Sequence, residues 1–304
     1  MSSMGATFRQ LRRGKHLSLT EVSDGIVTAS FLSKYERGLT DISFATLTRL
    51  LERINVDIAE FVYFDQSAQS DHSTNEQYLH DVSRLYLADN IGALRQLKST
   101  FRKDHEQLLP LFLDLNDAML DACIASLTQT TLASSSQELI INYLSSAEHW
   151  GFYELYLFGN SLMCLPVDQA ITLADLMYKR GLAYVNLQTD NVSAQFRILN
   201  NLICACAEHN RLEAAQHFLA LFKHLLIHPR QFYETVKYQI LVGMIMYLTG
   251  KQDAGLNRLQ AALIIVKQVG TPALLAHEIN YLQRFMPSDV WQQLHEAVDR
   301  APSA

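Results

Sequence analysis

Six basic side chains, Arg9, Arg12, Arg13, Lys15, Lys34 and Arg37, fall within the first 37 residues against three acids, Glu21, Asp24 and Glu36. The whole chain of 304 residues carries a net charge of −6. Clustered guanidinium and ammonium groups neutralise phosphate, and a protein that coats nucleic acid along its full length is basic throughout. Phosphate contacts are therefore expected at the N-terminal end alone. Covalent chemistry has no comparable residue set. His105-Glu106 is followed by Gln-Leu-Leu and His277-Glu278 by Ile-Asn-Tyr, so the H-E-x-x-H metalloprotease spacing is absent. Gly250-Lys251 has Ile245 where a phosphate-binding loop needs its first glycine, and neither G-x-S-x-G nor G-x-G-x-x-G occurs. His224 and His228 lie i, i+4 on one helix face, without an acid or cysteine beside them to complete a metal site. No enzymatic activity, metal or cofactor is expected.

The four cysteines, Cys123, Cys164, Cys204 and Cys206, lack disulfide-framework spacing, which fits reduced and buried thiols in a cytoplasmic protein. Cys204 and Cys206 would point to nearly opposite sides of a helix and cannot share one metal there. Polar residues at 7–10 and 12–16 interrupt every early apolar run, so the layout of a signal peptide is missing. The longest apolar run, residues 240–248, is far short of the ~20 residues that span a bilayer. A buried helix and no membrane partner are expected. With 49% hydrophobic residues, the chain can bury a core in each of two domains.

The elements that must carry the basic cluster read as short helices over residues 5–63. Phe8 and Leu11 lie three apart ahead of Gly14. Ser18 with Glu21 makes a capping box for a second helix, which stops at the turn Ser23-Asp24-Gly25. Residues 28–37 predict a third helix, with Leu32 and Tyr35 inward and Gly38 as its stop. Residues 43–54 predict a fourth, with Phe44, Leu47, Leu50, Leu51 and Ile54 on one face. Residues 58–64 close the bundle as a fifth. Residues 65–75 contain no large apolar side chain and mark a linker between a domain at 1–64 and a second at 76–304.

The second domain has helical periodicity throughout, and within it a repeat of forty residues emerges. The turn at Glu208-His-Asn210 corresponds to that at Leu248-Thr-Gly250. Ser193, Arg197, Asn200 and Cys204 precede the first turn, and Tyr233, Lys237, Ile240 and Met244 precede the second at the same offsets. Each set makes one stripe on a helix. After the turns, Leu212, Ala215, Leu219 and Phe222 correspond to Gln252, Gly255, Leu259 and Ala262, the small residue in each permitting close packing. A fainter copy ends near Leu165 and continues through Ala170, Ala174 and Met177. Helix pairs at such a period indicate tetratricopeptide-like units. The predicted fold is all-α: a five-helix N-terminal domain followed by a right-handed α-solenoid of degenerate tetratricopeptide-like repeats.

The stretch Leu17-Ser-Leu-Thr-Glu-Val-Ser with Thr28-Ala-Ser-Phe-Leu-Ser-Lys-Tyr-Glu-Arg-Gly38 resembles the Xre/phage-repressor helix-turn-helix. In that motif the second helix enters the major groove of double-stranded DNA with its N-terminal residues toward base edges. The resemblance therefore puts Thr28, Ala29, Ser30, Ser33 and Lys34 on the exposed side. Thr28 also suits a purely capping role. Lys34, Arg37 and the Arg12-Arg13-x-Lys15 cluster would grip phosphate, or else form an ordinary solvated charged face. Many Xre domains carry Gln where this chain has Leu19, so a contact from that position is not expected here.

Met4-Gly-Ala-Thr-Phe-Arg-Gln-Leu-Arg-Arg, Ser30-Phe-Leu-Ser-Lys-Tyr-Glu-Arg-Gly38 and Asp41-Ile-Ser43 resemble the Rgg/MutR/GadR group of regulators from Gram-positive bacteria. The likeness continues through Tyr143, Trp150, Glu154-Leu155, Leu157-Phe158-x-Asn160-Ser161 and Asn200-Asn201. It implies a homodimeric transcription regulator in quorum sensing, controlled by a short hydrophobic signalling peptide on the concave face of the solenoid. The stripes Ser193/Arg197/Asn200/Cys204 and Tyr233/Lys237/Ile240/Met244 are the matching candidates. Asn200 would serve the peptide backbone, Ile240 and Met244 its apolar side chains, and Arg197 and Lys237 a carboxylate. The same residues also read as packing: Asn200 and Arg197 satisfying the solenoid's own polar groups, Ile240, Met244 and Trp150 as core. Two other readings of the second domain stay open, dimerisation or partner-protein binding without a peptide, and a small-molecule sensor with an enclosed pocket.

Overall fold

A computed structural model describes residues 3–65, 78–105, 107–181, 189–226 and 231–302, and among these every regular element is a helix. The chain divides into two compact units, Met1–Arg84 and Leu85–Ala304. The division falls further along the chain than the expected start at residue 76. Apart from Asp65, the expected linker lies outside the described residues. Asp65 itself is buried and accepts a hydrogen bond from Thr7 Oγ1 at 3.2 Å.

The first unit holds α1 (Ser3–Gly14), α2 (Leu19–Ser23), α3 (Ala29–Glu36), α4 (Phe44–Arg53) and α5 (Ile58–Phe64), at the positions the sequence predicts. Local chemistry sets their ends. Ser18 and Glu21 form the capping box of α2, and the hydroxyls of Thr28 and Ser43 accept from the first turns of α3 and α4. Gly38, at φ +69°, closes α3 in the left-handed region, with Leu39 N–H donating to Lys34 O. The core is Phe8, Val22, Leu32, Tyr35, Leu47, Leu50, Leu51, Ile54, Val56 and Phe61. Leu19 packs against this core from the start of α2, which accounts for an apolar side chain there. Phe44, expected inward, is 69% exposed, and burial on α4 begins one turn later at Leu47. A Cβ on Gly5 would lie 2.0 Å from the Tyr35 carbonyl oxygen, so α1 meets α3 at backbone distance.

After a helix over residues 78–87, here α6, the second unit runs through α7 (Ile91–Asp104), α8 (Pro110–Thr128), α9 (Ser134–Ser146), α10 (Phe152–Ser161) and α11 (Val167–Gly181). It continues through α12 (Thr189–Glu208), α13 (Leu212–Leu225), α14 (Phe232–Leu248), α15 (Gln252–Val269), α16 (Pro272–Leu282) and α17 (Ser288–Arg300). Consecutive helices form hairpins, and α8, α10, α12 and α14 pack on one another in series, so the pairs stack as tetratricopeptide-like repeats do. The two predicted turns are present. Asn210 at φ +55° and Gly250 at φ +88° reverse the chain forty residues apart. Ala215, Leu219 and Phe222 on α13 and Leu259 and Ala262 on α15 are buried as the repeat requires. Phe222 links three helices, its ring 4.8 Å from Phe196 on α12 and 6.0 Å from Tyr238 on α14. The apolar run at 240–248 lies in α14, and no helix among the described residues is long and apolar enough to cross a membrane.

Gly255 is where α15 meets α14: its Cβ would lie 2.7 Å from both Gly243 O and Tyr247 N, atoms that cannot turn aside. At Gly250 a Cβ meets open space, and only the positive φ opposes it. In urea unfolding followed by circular dichroism, Gly255→Ala is expected to lose about 2–3 kcal/mol from overpacking and Gly250→Ala only about 1 kcal/mol from the left-handed conformation. Equal losses would contradict the close approach of the two helices.

Candidate functional site

The exposed side of α3 carries the residues expected to face DNA. Ser30, Lys34 and Arg37 are exposed, and Ala29 and Ser33 are half-buried, while Leu32 and Tyr35 turn into the core. Thr28 Oγ1 accepts from Phe31 N–H at 3.1 Å. The cap uses an oxygen lone pair and leaves the hydroxyl proton free to donate, so capping and base contact are compatible in one side chain. Arg37 Nε donates to Ser33 O at 3.2 Å, leaving its Nη groups outward. Lys15 Nζ donates to Asn55 O at 3.1 Å from an exposed position, and Arg13 is exposed beside it.

Arg12 is a correction. It is only 6% exposed and donates through Nε and Nη2 to the two carboxylate oxygens of Glu36, at 2.5 and 2.8 Å. Nη1 donates to Leu17 O. One guanidinium thus ties α1 to the start of α2 and the last turn of α3, and the hydrogen bonds to Glu36 hold its pKa above the ordinary arginine value. Its geometry makes it a brace for α3 and denies it to phosphate. Glu36 is legible in the sequence as part of the stretch that resembles the helix-turn-helix, but its partner Arg12, 24 residues away, is not.

Sequence reasoning missed two further basic residues. Arg49 Nη2 donates to Gly25 O at 3.0 Å, and Arg53 reaches Glu21 O at 3.2 Å and Asp24 O at 3.0 Å. Their i, i+4 spacing on α4 was the available signal.

In the second unit the two predicted stripes separate into different environments. Arg197 is exposed, its guanidinium carbon 6.0 Å from the Tyr156 ring. Asn200, half-buried one turn on, donates through Nδ2 to Asn201 Oδ1 at 3.0 Å, and its own Oδ1 lacks a partner among the described residues. Ser193 is half-buried, and Tyr233 is 52% exposed. The remaining four require correction. Cys204, Ile240 and Met244 are buried in the helix packing, and Lys237 is buried with both oxygens of Glu278 on α16 at 2.6 and 2.8 Å from its Nζ. A ligand cannot reach them as the helices stand. The stripe on α14 is turned inward, where α14 packs against α12, α13 and α15 and Lys237 meets Glu278 of α16, and a repeat read from two helices cannot foresee that enclosure.

On α8, Asn116 is fully buried: its Oδ1 accepts from Tyr153 OH on α10 at 3.2 Å, and its Nδ2 lacks a partner among the described residues. Trp150 is core, its Nε1 donating to Leu144 O at 3.2 Å. Burial pushes the Cys123 thiol up to about 12 and those of Cys204 and Cys206 to about 11, so these sulfurs are packing groups without nucleophilic character. His228 of the sequence-predicted histidine pair lies outside the described residues.

A helix-turn-helix bundle followed by stacked helix pairs defines a transcription regulator of the helix-turn-helix class. Comparison with known families agrees: residues 8–61 match the profile described as helix-turn-helix, and residues 94–278 match that described as the C-terminal domain of the HTH-type transcriptional regulator Rgg. The chain belongs to the Rgg family, a family of transcription regulators and not of enzymes. Among solved structures it resembles the SHP pheromone receptor Rgg2 of Streptococcus dysgalactiae, with 24% identity, a TM-score of 0.78, and coverage of 93% of this chain and 100% of that one. It also resembles PrgX in its complex with cCF10, with 15% identity, a TM-score of 0.68, and coverage of 94% and 100%. At these identities the likeness is one of fold.

The Arg12 brace has a measurable consequence. Arg12→Ala leaves Glu36 as a buried unpaired charge and is expected to cost about 3–5 kcal/mol. Arg13→Ala, on the exposed side, should change stability by less than about 0.5 kcal/mol. Thermal unfolding of the two variants decides it, and a benign Arg12→Ala would return that residue to the surface set.

Proposed function

We propose that this chain binds a double-stranded DNA operator as a cytoplasmic homodimer, and that a short hydrophobic signalling peptide held by the helical unit controls its activity. Family membership and the composition of α3 support the DNA half. Thr28, Ala29, Ser30 and Ser33 are the base-facing residues, and Lys34, Arg37, Arg13 and Lys15 hold phosphate and fix register. Arg12 supports them from within.

One observation carries the peptide half: on α12 an exposed guanidinium, Arg197, sits one turn from Asn200, whose buried Oδ1 lacks an acceptor's usual partner among the described residues. A buried unsatisfied acceptor is costly, and a peptide N–H would satisfy it after a small side-chain rotation. Arg197 would meet a peptide carboxylate. Ser193 and Tyr233 flank the pair as secondary contacts. Rgg2 is named as a pheromone receptor, and PrgX has been crystallised with cCF10; their shared fold with this chain supports the same class of ligand.

A second reading is favoured by the burial of Cys204, Lys237, Ile240 and Met244. On it the helical unit serves dimerisation or partner-protein binding, and DNA binding is indifferent to peptides.

Lys34→Ala and Arg37→Ala should each weaken DNA binding and lower the slope of log K against log salt by about one; an unchanged salt titration would remove them from the interface. Arg197→Ala and Asn200→Ala should abolish binding of fluorescent synthetic peptides drawn from the C-terminal ends of short open reading frames beside the gene, with helix content unchanged. Native affinity in both variants would leave the second reading standing.

A further inference from the structure

Helix α2 is five residues long, and its C-terminal carbonyls have little intrahelical partnership to draw on. Asp24 N–H and Ser23 Oγ both go to Thr20 O, while Ile26 and Val27 N–H share Ser23 O. Three carbonyls around the following turn, those of Glu21, Asp24 and Gly25, accept instead from the guanidinium groups of Arg53 and Arg49 on α4. The turn contains Gly25 at φ +68°, and α3 begins at its N-cap Thr28 three residues later. We infer that Arg49 and Arg53 are positioning residues for DNA recognition: acting from α4, they cap α2, fix the turn, and so set the direction in which Thr28, Ala29 and Ser30 enter the groove.

Two features separate this role from a phosphate grip. Arg53 commits both of its Nη groups to backbone carbonyls, Glu21 O and Asp24 O, and Arg49 commits Nη2 to Gly25 O, whereas Arg37 commits only its Nε. The hollow that they border with Ile26 is also lined by Glu52, whose carboxylate opposes an incoming phosphate. A cation placed against helix C-terminal carbonyls is favourable without any ligand, because the helix dipole ends there. Angular freedom in the turn passes directly to the base-facing residues. It has less effect on Lys34 and Arg37, whose long side chains can still find phosphate from a tilted helix.

The inference rests on the reading of α3 as the recognition helix, and its test separates the two. The full chain is titrated with a duplex that the unmodified chain has selected from a random pool, and with an unrelated duplex of equal length, across a series of salt concentrations. For Arg49→Met/Arg53→Met, the ratio of selected to unrelated affinity is expected to fall about tenfold, the discrimination carried by roughly one base contact. Affinity for the unrelated duplex and the salt slope should stay as they are. A salt slope lowered by about one per arginine on both duplexes would make these residues phosphate contacts and overturn the inference. An unchanged ratio would overturn it equally. Should the double variant lose its helical signal, Arg53→Lys replaces it: a single ammonium cannot serve both carbonyls in the same fork geometry, and a smaller loss of discrimination is expected. Native discrimination in Arg53→Lys overturns the inference. Lys34→Ala, measured in parallel, should lower the salt slope on both duplexes. If it does not, the reading of α3 fails, while the ratio for the arginine variants still decides their own role.

Discussion

Every helix ends in carbonyls that its own backbone cannot satisfy, and a chain built from short helices meets that constraint at each turn. Two solutions recur here. Where the turn is tight, a residue enters the left-handed region and lets the following N–H groups reach back, as at Gly38, Asn210 and Gly250. Elsewhere a long cationic side chain arrives from a different helix. Arg49 and Arg53 serve the end of α2, and Arg180 donates to Ser145 and Ala147 O at the end of α9 at 2.8 and 2.6 Å. Lys267 does the same for α17, with its Nζ 3.1, 2.7 and 2.7 Å from Val298, Asp299 and Ala301 O. The cation completes the cap and favours the negative end of the helix dipole. Helix ends in both units thus become the points where helices are joined.

Buried charge follows a related logic. Arg12 with Glu36 and Lys237 with Glu278 are the two ion pairs that are almost fully enclosed among the described residues, and each joins helices not adjacent in sequence. Such pairs gain little over apolar packing of the same shape, but losing one partner strands the other. Their value lies in geometry: the fork of Arg12 meets Glu36 only when α1 and α3 are in register, and Gly5 admits that register by letting the two backbones touch. The placement of α3 is consequently set by residues buried behind it.

In the helical unit the same economy of polar groups singles out α12. Most of its described side chains are buried between layers, yet Arg197 remains exposed and Asn200 Oδ1 lacks a partner among the described residues. Buried polar groups are nearly always hydrogen-bonded, so Asn200 Oδ1 stands out from the carbonyls that imported donors satisfy elsewhere in the fold, as Asn116 Nδ2 does on α8.

The sequence by itself determined the all-helical class, the five helices of the first unit, the forty-residue repeat and its turns. These depend on local chemistry: capping boxes at Ser18, N-caps at Thr28 and Ser43, small residues at Ala215 and Gly255, and apolar periodicity, all encoded within a few residues of where they act. Motif likeness carried the family as well. Tertiary structure alone decided which charges are available. Arg12 and Lys237 resemble surface cations in the sequence, but their carboxylates lie 24 and 41 residues away, and burial depends on whichever helix finally covers them. Phe44 was misjudged for the same reason, since periodicity gives a helix its face but not the length of that face which a neighbour conceals.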